Sequence, residues 1–122
     1  MAKAKAAAPP ETVAFYERLV ATQPGVERKG AALPYTSLNG NMFSLLTRDG
    51  KLALRLPAAE RGAFLKKYRT VLCEQYGAVL EEYVVVPDAL LRKTQELRGF
   101  FAVSYAYVKS LKPKPTTRKK KP

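Results

Sequence analysis

The chain has 122 residues, 47% of them apolar and 26% charged, with 22 lysines and arginines against 10 acids for a net charge of +12. That length suits one domain with a real core, and no apolar run reaches the roughly 20 residues of a membrane-spanning helix. Histidine is absent and Cys73 is the only cysteine, which removes the commonest general base, the commonest transition-metal ligand and any internal disulfide.

Residues 1–9 read as a disordered arm: two lysines and a run of alanines, too short and too weakly apolar for a secretory signal. Pro10-Glu11-Thr12 opens a helix, with proline in the first turn and an acid facing the positive end of the dipole. Val13, Phe15, Tyr16, Leu19 and Val20 recur at helical spacing to about Thr22, and Pro24-Gly25 stops it. Residues 31–38 suit a strand, with Pro34 marking an edge or a bulge. Asn39-Gly40 is a hairpin signal, since both residues tolerate positive φ. Residues 41–47 form the second strand, Asp49-Gly50 a second two-residue turn, and residues 51–56 the third strand. In that third strand Leu52, Leu54 and Leu56 share the packed face, and Lys51, Ala53 and Arg55 share the more polar one.

Pro57-Ala58-Ala59-Glu60 starts a second helix with Ala63, Phe64, Leu65 and Tyr68 as its buried stripe. Cys73 reads as a buried, inert thiol with no base beside it. Residues 78–86 have the β-branched and aromatic content of a strand. From Pro87-Asp88 a short helical turn precedes a longer helix starting near Thr94, with Leu97, Phe100, Phe101, Ser104, Val108 and Leu111 facing inward. The expected fold is α+β, a two-layer sandwich with an antiparallel sheet of four to five strands and helices packed on it.

Function is less legible. Glu81-Glu82 is the one adjacent acid pair, and neighbours on a strand point to opposite faces. No serine or cysteine has a histidine to activate it, and the isolated glycines make no phosphate loop. We therefore expect no catalytic residues, no metal, no cofactor and a cytoplasmic protein. Tyr35, Thr36, Ser37, Asn39 and Asn41 cluster hydroxyls, amides and a ring before the hairpin; they either satisfy turn hydrogen bonds or line a small recognition surface. Eight of the 22 cations lie in residues 1–9 and 112–122, which hold no acid. Residues 112–122 read as a disordered basic tail, either solubilising or a weak nucleic-acid contact through Lys112, Lys114, Arg118, Lys119, Lys120 and Lys121. Arg61, Lys66, Lys67 and Arg69 would assist, and Tyr105 and Tyr107 either pack on the core or offer a stacking surface beside that charge.

The stretches Asn39–Leu46 and Asp49–Leu56 resemble the hairpin core of the TfoX (Sxy) N-terminal domain family. Residues 83–91 resemble that family's strand-to-helix junction, and 96–101 its closing helix. Residues 32–37 stand where the family carries Met-Phe-Gly-Gly. The resemblance, to a divergent stand-alone member over residues 10–111, implies an α-βββ-α-ββ-α fold and a bacterial, cytoplasmic protein. It also implies an association with competence-gene regulation and no enzyme activity, and we expect such a domain to act through contacts with another protein or with a second copy.

Overall fold

The computed structural model describes residues 9–30, 33–75 and 77–112. The arm and the basic tail expected from the sequence lie outside the described residues, apart from Pro9 and Lys112. In chain order the elements are α1 (Pro10–Ala21), β1 (Tyr35–Leu38), β2 (Asn41–Leu46), β3 (Leu52–Arg55), α2 (Ala58–Tyr68), β4 (Leu72–Gln75), β5 (Ala78–Val86), α3 (Asp88–Leu91) and α4 (Thr94–Lys109). The five strands form one antiparallel sheet in the order β1-β2-β3-β5-β4. This is the expected α+β order, with the fifth strand around Cys73. Among the described residues no helix is long and apolar enough to cross a membrane.

Prolines start three of the helices. Pro9, Pro57 and Pro87 stand at the N-caps in extended backbone. Their carbonyls accept the first helical N–H bonds, from Val13, Arg61 and Leu91. A proline there sacrifices no donor and presets φ. Asn39 and Gly40 both take positive φ, 54° and 81°, as the hairpin signal requires. The second turn is longer than the two residues expected: Thr47 N–H bonds to Lys51 O at 2.8 Å, closing a three-residue loop with Gly50 left-handed. The Asp49 carboxylate accepts from the Thr47 hydroxyl and holds that loop.

The first strand is shorter than 31–38. It begins at Tyr35, because Pro34 cannot donate to a ladder. It is an edge strand, as Pro34 suggested. Register slips from Thr36↔Ser44 to Ser37↔Met42, which leaves Phe43 as an extra residue on β2. Strict alternation would send Phe43 and Ser44 to opposite faces; the bulge turns both inward. Burial along β2 follows: Asn41, Phe43, Ser44 and Leu46 are buried, and Met42 and Leu45 half-buried.

The core joins Leu46, Leu52, Leu54, Val84 and Val86 of the sheet to Tyr16, Leu19, Phe64, Leu97, Phe101 and Val108 of the helices. Phe43 rests against Phe101 with ring centroids 5.5 Å apart. Inside it the Tyr16 hydroxyl bonds Ser44 Oγ at 2.6 Å, and Ser44 Oγ bonds Thr36 Oγ1 at 2.5 Å. In α2 only Phe64 is fully buried and Ala63 is exposed, so the expected stripe is narrower. The helix rests Phe64 and, half-buried, Tyr68 on Phe100, with ring centroids 5.0 and 5.8 Å away.

A candidate interaction surface

The register identifies the other face of the sheet. Tyr35, Leu45, Ala53 and Val85 are successive partners across β1, β2, β3 and β5, one residue out of phase with the core row. None of the four belongs to the core cluster or to the side chains packed against it. Ala53 is fully buried between its larger row neighbours, so an apolar row crosses the more polar face of β3 at Ala53, between Lys51 and Arg55.

Arg55 is held from several sides. It pairs with Glu82 at 2.7 Å and donates to Met42 O at 3.2 Å, and its guanidinium stands 5.9 Å from the Tyr83 ring and 5.6 Å from the Tyr107 ring. Tyr83 Oη donates to Met42 O at 2.7 Å, so its ring reaches across β3. Tyr107 Oη donates to the second Glu82 oxygen at 2.7 Å. Burial alone would push the Glu82 carboxyl up. The Tyr107 and Arg55 hydrogen bonds and the charges of Arg55 and Arg61 outweigh it together, leaving Glu82 below the usual carboxylate range. Glu81 is exposed, so the two adjacent acids face different surroundings.

The five residues of the sequence-derived recognition surface are not brought together. Thr36 and Asn41 are buried: Thr36 closes the hydroxyl chain, and Asn41 donates to Lys112 O at 3.0 Å. Asn39 occupies the turn. Tyr35 and Ser37, both half-buried, lie on the side of the sheet away from the core, where Lys29 Nζ donates to Ser37 Oγ at 3.1 Å. What the sequence reading missed are Leu45, Tyr83 and Val85, and that Arg55, expected on the more polar face of β3, lies beside them. Their signal was the strand period itself, followed to both faces only in β3.

The Asn41–Lys112 bond also places Lys112 beside the β1–β2 hairpin. Of the six cations assigned to anion contact, Lys112 alone is described; Lys114, Arg118, Lys119, Lys120 and Lys121 lie outside the described residues. Arg61 donates to Leu56 O at 3.1 Å, Lys66 and Lys67 are exposed, and Arg69 takes left-handed backbone at the end of α2. Tyr105 meets Phe43 edge-on at 5.9 Å, with Lys109 6.0 Å from its ring. Both Tyr105 and Tyr107 are thus engaged by the fold.

Cys73 is 2% exposed, and burial, then the charges of Asp49 and Glu74, push its thiol up. A neutral thiol is a poor nucleophile. Beside it a cleft of about 470 Å³ is lined by Thr47, Asp49, Lys51, Val71, Leu72, Cys73, Glu74 and Val85. A second, of about 300 Å³, lies between the start of α1, the β2–β3 loop and α3. Among the described residues no group of three or more acids or cysteines is placed to hold a metal ion. No protein-family model matches the chain, and neither a curated protein nor a solved structure matches it.

Proposed function

We propose that this chain is a non-enzymatic binding domain that works through protein contacts made by the uncovered side of its sheet. The observation that carries the reading is the row Tyr35–Leu45–Ala53–Val85, which crosses four strands apart from the main core cluster, its three larger members half-buried around the buried Ala53. Contiguous apolar surface framed by polar residues is what protein contacts use. The likeness to the TfoX (Sxy) N-terminal domain supports a regulatory setting in the bacterial cytoplasm, and a single buried cysteine suits that reducing compartment. Leu45→Arg tests the reading. The variant keeps its thermal midpoint within a few degrees, and it loses the partner that the parent chain retains in nuclease-treated extract. Unchanged capture by a folded Leu45→Arg chain refutes it.

A second reading rests on the charge of +12 and its concentration at the ends. In it, Lys112 to Lys121 grip nucleic-acid phosphates without sequence preference. Six neutralised phosphates give a log–log salt slope of about −5 on duplex DNA. A chain ending at Leu111 loses that slope; equal slopes for both chains sink this reading.

A further inference from the structure

The sheet has two edges, and they are protected differently. At β1 the strand follows Pro34, and the backbone of Lys29 covers Tyr35 with two bonds of 2.8 and 2.9 Å. Such devices keep an edge from templating another strand. At β4 no strand lies on the outer side among the described residues, and Leu72-Cys73-Glu74-Gln75 holds no proline or lysine. The extra residues of the β4–β5 register shift belong to β5, so β4 itself runs unbroken. The Val71 carbonyl accepts from Val85 N–H at 2.9 Å. Alternation along the strand then turns the backbone groups of Leu72 and Glu74 outward.

Side chains at this edge point the same way. The exposed large hydrophobic residues of the described chain are Val71, at 65%, and Val79, at 49%. Both belong to the β4–β5 hairpin and its approach. The cleft of about 470 Å³ opens beside Val71, with Val71, Leu72, Cys73 and Val85 as its apolar lining. Just before β4 come three cations, Lys66, Lys67 and Arg69, all exposed. Free backbone groups supply affinity to an added strand, and a pocket for one of its alternate side chains supplies selectivity.

We propose that β4 is the docking edge for an extended segment of another protein. The segment adds as a sixth strand antiparallel to β4, places one aliphatic side chain against Val71 at the cleft, and carries acidic residues at its C-terminal end. Antiparallel addition brings that end to Lys66, Lys67 and Arg69, where opposite charge is met. A second copy is the weaker occupant. A four-residue edge falls well short of the roughly 1,200 Å² that stable interfaces bury, and each copy carries +12.

This inference rests on the binding-domain reading and is tested apart from it. The probe is the acetylated heptapeptide Thr-Val-Thr-Val-Asp-Asp-Glu, titrated into the ¹⁵N-labelled full chain. Two controls accompany it, one with its strand amides N-methylated and one with its acids replaced by lysine. The amides of Leu72 and Glu74 shift. At ten times the measured Kd their hydrogen exchange slows about tenfold, because only the free edge exchanges. The N-methylated peptide gives no shift, and the lysine peptide binds at least about tenfold more weakly. Val71→Lys and Glu74→Pro abolish the response while the rest of the spectrum is retained.

Shifts confined to other elements, or none at millimolar peptide, overturn the proposal. So does a concentration-dependent dimer that Val71→Lys dissociates, which makes the occupant a second copy. If the peptide fails while capture sensitive to Leu45→Arg persists, docking at the edge alone is wrong. If both fail, the binding-domain reading falls too.

Discussion

Ser44 is the smallest side chain in the core hydroxyl chain and the one whose loss costs most. It is fully buried and bonds both Tyr16 and Thr36, each also fully buried. Ser44→Ala strands two hydroxyls in an apolar site, each costing about 1–2 kcal/mol, for a loss of about 2–4 kcal/mol in all. Tyr16→Phe leaves Ser44 bonded to Thr36, and Thr36→Val leaves it bonded to Tyr16, so each costs about 1 kcal/mol. With unfolding entropy near 2.1 cal/mol/K per residue, 1 kcal/mol moves the midpoint of a chain this size by about 4 °C. Ser44→Ala should therefore melt about 8–16 °C below the parent and the other two about 4 °C below. The double variant Tyr16→Phe/Thr36→Val should exceed the sum of its singles by about 1 kcal/mol, because only then does Ser44 lose both partners. Urea unfolding at constant m measures all four. A Ser44→Ala loss no larger than that of Tyr16→Phe would refute a chain centred on Ser44.

Burial raises the Tyr16 hydroxyl from 10.0 to about 12, against the hydrogen bond of Ser44 and the nearby Thr36 hydroxyl. The fold thus favours the neutral phenol. That contribution is complete below pH 10 and is lost as pH climbs toward 12, an alkaline decline of about 2–3 kcal/mol that Tyr16→Phe flattens; an equally steep decline in the variant counts against it. Glu82 works in the opposite direction. Its carboxyl is held low, so its contribution is present above the ordinary carboxylate range and disappears as pH falls through the lowered value. Glu82→Gln should make acid unfolding shallower, read as the midpoint against pH, and an unchanged profile shows that the pair adds nothing. Arg69 caps α2 with φ 52°, a left-handed conformation that glycine adopts freely. Arg69→Gly should raise the thermal midpoint by about 2–4 °C, from about 0.5–1 kcal/mol; a lower midpoint contradicts the strain.

Much of the fold was legible because it is written in local chemistry. Proline at helix starts, Asn39-Gly40 at positive φ and the period of residues 94–111 each act within a few residues, and the structure places a helix, a turn and a helix there. The misses share one cause. Residues 70–75 carry no strong strand pattern of their own and become β4 by pairing with β5. Ala63 sits at the right spacing for a buried stripe, yet no neighbour arrives to cover it.

The same limit applies to the candidate surface. Tyr35 to Asn41 looked like one polar cluster because those residues are adjacent in sequence. A strand sends neighbours to opposite faces, so Thr36 enters the core while Tyr35 and Ser37 stay outside.

From the sequence alone came the inventory: a cationic chain without histidine, its excess charge at the ends, and turn and cap residues that set most element boundaries. Only the tertiary structure decided which half of β1 and β2 is covered. An extra residue at Phe43 reverses the alternation of β2, and burial depends on where the helices land. It also decided that, among the described residues, one sheet edge is guarded and the other has no strand beside it, since an edge is defined by the strand that is missing.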